Sequence, residues 1–343
     1  MDFYRRGVIK KTPLFLYRMD RVSIVIFNPE HDLCLANGNP HFVPPSSALL
    51  FAEQGAEWMC NLKRFHPVDF FTDAAHAGQI YYRQCVDTHC EADIYSWGWN
   101  TTLKTFLIKS GIPPEILPED GILSSIRALS HRSTALPLQK DTYSALCLDD
   151  IDNYMRIHHN VVLKAPWSGS GRGIRWVDMQ LSSHDKSWIS KILSTQKSVL
   201  IEPKFDVVQD FAFLFYYTQQ KGCTFVGYSL FKTQNGVYRG NKLLYDIEIS
   251  EYLSQWIPFE EITNAQHTIQ NWLNSILKDT NYQGPIGVDA FIYRNQGIFK
   301  LRPCVEINFR YTMGFIAHEL LLYKPELYKS TWSPMSPSPY KKI

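Results

Sequence analysis

Glu306, Asn308 and Arg310, in "PCVEINFR", recur at every second position near the end of the chain. On a β-strand that spacing projects all three to one face. A carboxylate, a carboxamide and a guanidinium on one face are costly against an apolar core. As oxygen ligands for a hard divalent cation, beside a positive group for phosphate, they make sense together. Asp289 in "GPIGVDAF", set between apolar residues of another strand-like run, is a second candidate carboxylate. Far upstream, "LKAPWSGSGRGIRW" (163–176) sets three glycines and two serines between two strand-like runs. Such a hairpin can lay backbone N–H groups over phosphates, because glycine allows close approach and positive φ. Walker and Rossmann loops are excluded, since both lead into a helix and Gly173 leads into a strand. The kinase motifs H-R-D and D-F-G are absent from the sequence.

These residues need elements to position them. "VSIVIFNPEH" (22–31) reads as a buried strand ended by Asn-Pro. "PSSALLFAEQGAEWM" reads as a helix with a Ser cap and a closing Gly, and "DIYSWGWN" as a short strand with an aromatic loop. "NTTLKTFLIKSGIPPEILP" is a capped helix stopped by Gly-Ile-Pro-Pro. Strand–loop–helix alternation predicts a parallel sheet wound by helices over 20–128. "LSHRSTALPLQKDTY" is a junction, followed by a helical piece to about Ile157. From Asn160 the grammar becomes strands joined by short turns, around 163–176 and then "SVLIEPKF", "DFAFLFYYTQ", "CTFVGYSLFKTQ" and "GVYRGNKLL". A long helix over Pro258–Asp279 leads to the two acidic strands. The tail, 324–343, carries four prolines, and its end is expected to be poorly ordered.

The chain has 343 residues, enough for two domains or one large α/β unit. Its 45% hydrophobic and 20% charged residues match a soluble protein, and a net charge of +2 gives no reason to expect nucleic acid or a membrane. The apolar runs are too short to span a bilayer. Residues 1–19 are basic without a cleavable signal pattern, so they read as an extension: disordered, or an artefact of start-codon choice. Seven cysteines without C-x-x-C spacing favour reduced thiols in a cytoplasm. "CVDTHC" (85–90) has the wrong spacing for a zinc knuckle and lacks a second pair.

Over 131–320 the chain resembles the ATP-grasp superfamily. The resemblance rests on an ordered set: a strand lysine (Lys164), a glycine-rich flap (Ser168–Gly173), "IEP" (Ile201–Pro203), Asp289, then E-x-N-x-R (Glu306, Asn308, Arg310). It implies an N-terminal parallel-sheet α/β pre-ATP-grasp domain, then an ATP-grasp fold of two α+β subdomains over 129–323 enclosing ATP. Lys164 would meet the α- and β-phosphates. The flap N–H groups of Ser168, Gly169, Ser170, Gly171, Arg172 and Gly173 would cover the β- and γ-phosphates. Glu202 would mark the adenine hinge and Asp210 the ribose. Arg132, in the place where many members carry Lys, would give phosphate a forked contact. Asp289, Glu306 and Asn308 would hold one or two Mg²⁺ ions, with Mn²⁺ as an alternative, and Arg310 would sit near the transferred phosphoryl.

The implied reaction is ATP-dependent activation of a carboxylate as an acylphosphate, then attack by an amine or another nucleophile. Alternatives are a small-molecule kinase and a nucleotide-binding protein without catalysis. The expected partners are ATP, a small-molecule or peptide carboxylate and a nucleophile; a homo-oligomer stays open. For the acceptor, "FNPEHDLCLANGNPHFVPP" (27–45) offers Asn28, Glu30, His31, Asp32 and Asn37 after the first strand, where open α/β sheets place ligands. "SWGWN" (96–100) can line the same crevice. A second polar cluster, Lys232, Tyr238, Arg239 and Asn241, lies near a predicted hairpin.

Overall fold

The computed structural model describes residues 21–169, 173–234 and 236–334, with the backbone of 340–342. The first domain opens with β1 (Arg21–Phe27), buried from Val22 onward because helices cover both of its faces. Then come α1 (His31–Asn37), α2 (Ser46–Gly55), β2 (Phe70–Asp73), α3 (Ala74–Tyr81), β3 (Glu91–Ser96), α4 (Thr101–Lys109) and α5 (Asp120–Leu129). Asn100 caps α4 by accepting from the Leu103 N–H at 2.9 Å. The strands are parallel in the order β2–β1–β3. Helices α3 and α4 cover one face and α2 the other, so the carboxyl ends of β1 and β3 form a topological switch point.

A 3₁₀ turn, Arg132–Leu138, leads into β4 (Tyr143–Ala145), α6 (Leu148–Ile157), β5 (Asn160–Lys164), β6 (Ile174–Asp178), α7 (Ser183–Gln196) and β7 (Val199–Pro203). The four strands form an antiparallel sheet ordered β4–β7–β5–β6. Its alternation decides the geography. Val161, Leu163, Val199 and Ile201 pack on Ile151 of α6 and Ile189 of α7, which turns Val162, Lys164 and Glu202 to the other face.

The chain continues through β8 (Asp206–Thr218), β9 (Gly222–Gln234), β10 (Val237–Lys242), α8 (Asp246–Leu253), α9 (Phe259–Leu277), β11 (Gly284–Asn295), β12 (Ile298–Asn308), α10 (Met313–Tyr323), β13 (Ser330–Trp332) and β14 (Tyr340–Lys342). These strands form a larger sheet ordered β12–β11–β8–β9–β10–β13–β14. Phe211, Phe213, Phe215 and Val288 pack on Ile262, Ile269, Leu273 and Leu277 of α9, which recur at helical spacing. The opposite face has two neighbours: α10 with the first domain at one end, the small sheet at the other.

The expectation of a poorly ordered end falls mainly on residues outside the described ones, since beyond 334 only the backbone of 340–342 is described. β13 pairs with β10, β14 pairs with β13, and the Trp332 side chain is fully buried against Trp58. Burial of that indole holds β13 on the sheet. Strands β2 and β4 and helix α7 are further elements the sequence reading did not single out. For α7 the signal was present, since Ser182 and Asp185 form a capping box. Among the described residues no helix is long and apolar enough to cross a membrane.

Candidate functional site

The cleft lies between the two antiparallel sheets and has a volume of about 610 Å³, within the range of ligand pockets, roughly 300–1,000 Å³. Val162, Lys164, Ile174, Trp176 and Glu202 form its small-sheet wall; Asp210, Phe231, Thr233, Asp289 and Phe291 form the other. Residues 203–205 cross between the sheets. There Phe205 packs on Phe291 and Tyr293, so the hinge brings an apolar, aromatic surface to the cleft.

Lys164 and Glu202 are both buried and make an ion pair of 2.5 Å. Glu202 was expected only as a hinge marker. Its other oxygen accepts from Thr142 Oγ1 at 3.3 Å and faces Arg302 at 3.7 Å, while Arg302 donates to Thr142 Oγ1 at 2.6 Å. Arg302, Thr142 and Asp141, 3.5 Å from Arg302, were missed by sequence reading. Their partners lie on other strands, and no local spacing announces them. Asp210 faces the cleft and accepts from Thr233 Oγ1 at 2.7 Å; burial raises its pKa.

Asp289, which lines the cleft, and Glu306 are direct register partners on β11 and β12, and Asn308 pairs with Gly287, two places along the same face. Like charges directly opposite repel. Burial pushes the Asp289 carboxyl up to about 7, and the Glu306 charge adds to this. Asn308 Nδ2 donates to Asp289 Oδ2 at 3.3 Å. Two carboxylates and a carboxamide are hard oxygen donors, and their mutual repulsion is what a divalent cation would relieve, so the set fits Mg²⁺. Among the described residues no group of three or more His, Cys, Asp or Glu side chains is poised for a metal; the third donor here is an amide.

Arg132 is buried and reaches both the glycine hairpin and the acidic pair. It donates to Ser168 Oγ at 2.6 Å, to the Ser168 carbonyl at 3.1 Å and to Glu306 Oε1 at 2.8 Å. Its Nε is left without a partner. The hairpin closes at its base, where the Ala165 N–H donates to the Gly173 carbonyl at 2.8 Å. Gly173 is packed so closely on Ser168 that a Cβ would overlap its hydroxyl, and a Cβ on Gly169 would lie 2.5 Å from Asp32 Oδ2. Ser170, Gly171 and Arg172 lie outside the described residues.

Arg310 is held by a side chain of the first domain. It donates through Nε to Asp32 Oδ1 at 2.9 Å and through Nη2 to Asp32 Oδ2 at 2.7 Å. Burial opposes ionisation of the Asp32 carboxyl, yet Arg310 brings its pKa below the usual value. Of the remaining acceptor candidates after β1, Asn28 and His31 are bonded to the loop that follows β3. Asn28 exchanges hydrogen bonds with the Gly98 backbone, and His31 packs on Gly98 with its Nδ1 3.1 Å from Asn100 Nδ2. Glu30 Oε2 and His31 Nε2 are buried without a partner. Burial raises the Glu30 pKa to about 7 and lowers that of His31 to about 4. Asn37 is exposed and accepts from the Asn39 N–H. In the hairpin cluster, Asn241 is buried and bonded to Tyr238 and Ser229.

No family model matches the chain, and no curated protein matches it. Solved structures do. Pyruvate carboxylase from Rhizobium etli with acetyl coenzyme A is similar over 88% of this chain and 27% of its own, with a TM-score of 0.50 and 12% identity. Biotin carboxylase from Campylobacter jejuni in complex with β,γ-ATP gives 87% and 67%, a TM-score of 0.48 and 12% identity. N5-carboxyaminoimidazole synthetase from Staphylococcus aureus, complexed with ADP, gives 91% and 74%, a TM-score of 0.46 and 15% identity. The chain has the ATP-grasp fold with a preceding α/β domain.

Proposed function

We propose that this protein is a Mg-ATP-dependent ligase that activates a carboxylate as an acylphosphate and passes the acyl group to an amine or similar nucleophile. The supporting observation is a cleft with an apolar hinge on one side and Asp289 on its other wall, where Asp289 meets Glu306 across the strand pair and Glu306, Asn308 and Arg310 line a small void beside Arg132. ATP fits with its base at the hinge by Phe205, its ribose near Asp210 and its phosphates running past Lys164. Bound to Asp289, Glu306 and Asn308, Mg²⁺ would neutralise charge on the phosphate oxygens.

The substrate carboxylate oxygen attacks the γ-phosphorus, the bond to the β,γ-bridging oxygen breaks, and ADP leaves. Lys164 and Arg310 offset the charge spread over the phosphoryl oxygens. The nucleophile's nitrogen then attacks the acyl carbon, phosphate departs with the electron pair of the acyl C–O bond, and the amine's proton passes to solvent. Exclusion of water from the acylphosphate falls to the glycine hairpin, whose base rests on Arg132 and Asp32. Screening carboxylic acids and amines in pairs for release of ADP and phosphate tests this. Release that requires both members of a pair is expected; a stable phosphorylated product formed without an amine would make the protein a kinase.

A further inference from the structure

Arg310 stands in a crowded electrostatic setting. Glu306 and Asp289 both act on it, yet its two side-on donors go to Asp32, on α1 of the first domain. A third donor, on Nη1, reaches the Tyr311 carbonyl at 3.0 Å. A guanidinium has five N–H donors, so one remains on each terminal nitrogen. Had Arg310 paired with Glu306 or Asp289, it would have taken the oxygens that the acidic pair offers to a cation. Glu306 is already shared with Arg132. Asp32 also touches the hairpin, since no Cβ could fit between Gly169 and its Oδ2. Together Asp32, Ser168, Glu306, Asn308 and Arg310 line a void of about 10 Å³, roughly the space of one water.

We infer that Asp32 is a positioning residue for phosphoryl transfer: it holds the Arg310 guanidinium off the acidic pair and aims its two uncommitted N–H groups at the transferred phosphoryl. This rests on the ligase reading above and adds that the first domain completes the transfer site through one side chain. Asp32 itself meets no phosphate. Its effect passes through Arg310, and the bidentate geometry is what a single-point contact could not supply.

The test needs no acceptor. Aluminium fluoride with Mg-ADP imitates the phosphoryl group in flight, so the full-length protein is titrated with Mg-ADP, with and without fluoroaluminate. Wild type is expected to bind ADP more tightly when fluoroaluminate is present. Asp32→Asn should bind ADP alone within about twofold of wild type but lose about tenfold of the fluoroaluminate gain. Arg310→Met should lose it too, and the double variant should lose no more than Arg310→Met, because residues acting as one unit are non-additive. Equal gain in Asp32→Asn and wild type, or losses that multiply in the double variant, would overturn the inference. If Asp32→Asn does not fold, Asp32→Glu keeps the charge one methylene further out and is expected to lose part of the gain; an undiminished gain overturns the inference. Wild type that binds ADP without any gain overturns it alone, whereas wild type that binds no ADP overturns the ligase reading as well.

Discussion

Glu306 is bonded to Arg132 on one side and faces Asp289 on the other. Glu306→Gln and Asp289→Asn should therefore fold and lose Mg-dependent turnover, each removing charge with little change of shape. Asp289→Asn carries a further signature. Between the ordinary carboxyl value of 3.8 and the folded value of about 7, the native state keeps a proton that the unfolded chain has lost. Stability from this group falls as pH rises through that window. Without metal at pH 8, Asp289→Asn should melt above wild type, and scanning calorimetry with and without Mg²⁺ checks it. Lys164→Ala should weaken binding of a non-hydrolysable ATP analogue by ~1.5–3 kcal/mol, the worth of a charge-assisted contact; equal affinities in a titration would remove Lys164 from the site. The alternation of Glu306, Asn308 and Arg310 was legible in the sequence because strand periodicity is local. Asp32 was noticed only as an acceptor candidate, since its partner lies 278 positions away.

Helix α10 ties three parts of the molecule together through a chain of charges centred on the buried Glu319. Glu319, fully buried, faces Arg64 at 3.2 Å and His318 Nδ1 at 3.0 Å, and His318 Nε2 lies 3.6 Å from Asp246 at the start of α8. Burial alone would lower the histidine's pKa, but the Asp246 and Glu319 carboxylates carry it up to about 9. A histidine raised in the folded state contributes stability that is complete below 6.5 and is lost as pH rises through about 9. The melting temperature should fall across that window, and His318→Gln should flatten the slope; parallel melts from pH 6 to 10 decide it. Nothing in "MGFIAHELLLY" separates this histidine from a surface one, because its partners come from distant elements. The strands and helices of the second domain were more readable, since alternating and helical apolar spacing survive in short windows. The burial of Trp332 was not legible, because it is set by tertiary contacts with distant elements.

At the scale of the whole molecule the two domains share a core. Val25, Phe27, Met59, Leu62 and Trp97 of the first domain pack in one cluster with Leu214, Phe315, Ile316, Leu320 and Trp332 of the second. A backbone bond from the Tyr311 N–H to the Trp97 carbonyl, 2.9 Å, lies beside the Asp32–Arg310 pair. The domain division read from the sequence rests on a change from helix-rich to strand-rich grammar, and grammar does not report which apolar faces meet. A fragment of residues 129–343 would expose the second domain's half of that cluster. It should lack near-ultraviolet circular dichroism and recover it on mixing with residues 20–128. A fragment that melts cooperatively by itself would show the two halves to be independent.

Trp176, on the small-sheet wall of the cleft, is 43% exposed and lies close against Gly236, the turn glycine between β9 and β10. An indole in that position emits into water while the cleft is empty, and a base or ribose entering beside it would replace part of that water. The protein thus carries an optical gauge of its own occupancy. Its emission maximum should move to the blue as nucleotide is added, while Trp97 and Trp332, deep in the shared core, supply a steady background. A Trp176→Phe variant loaded with nucleotide should give no such shift, which would assign the signal to that tryptophan.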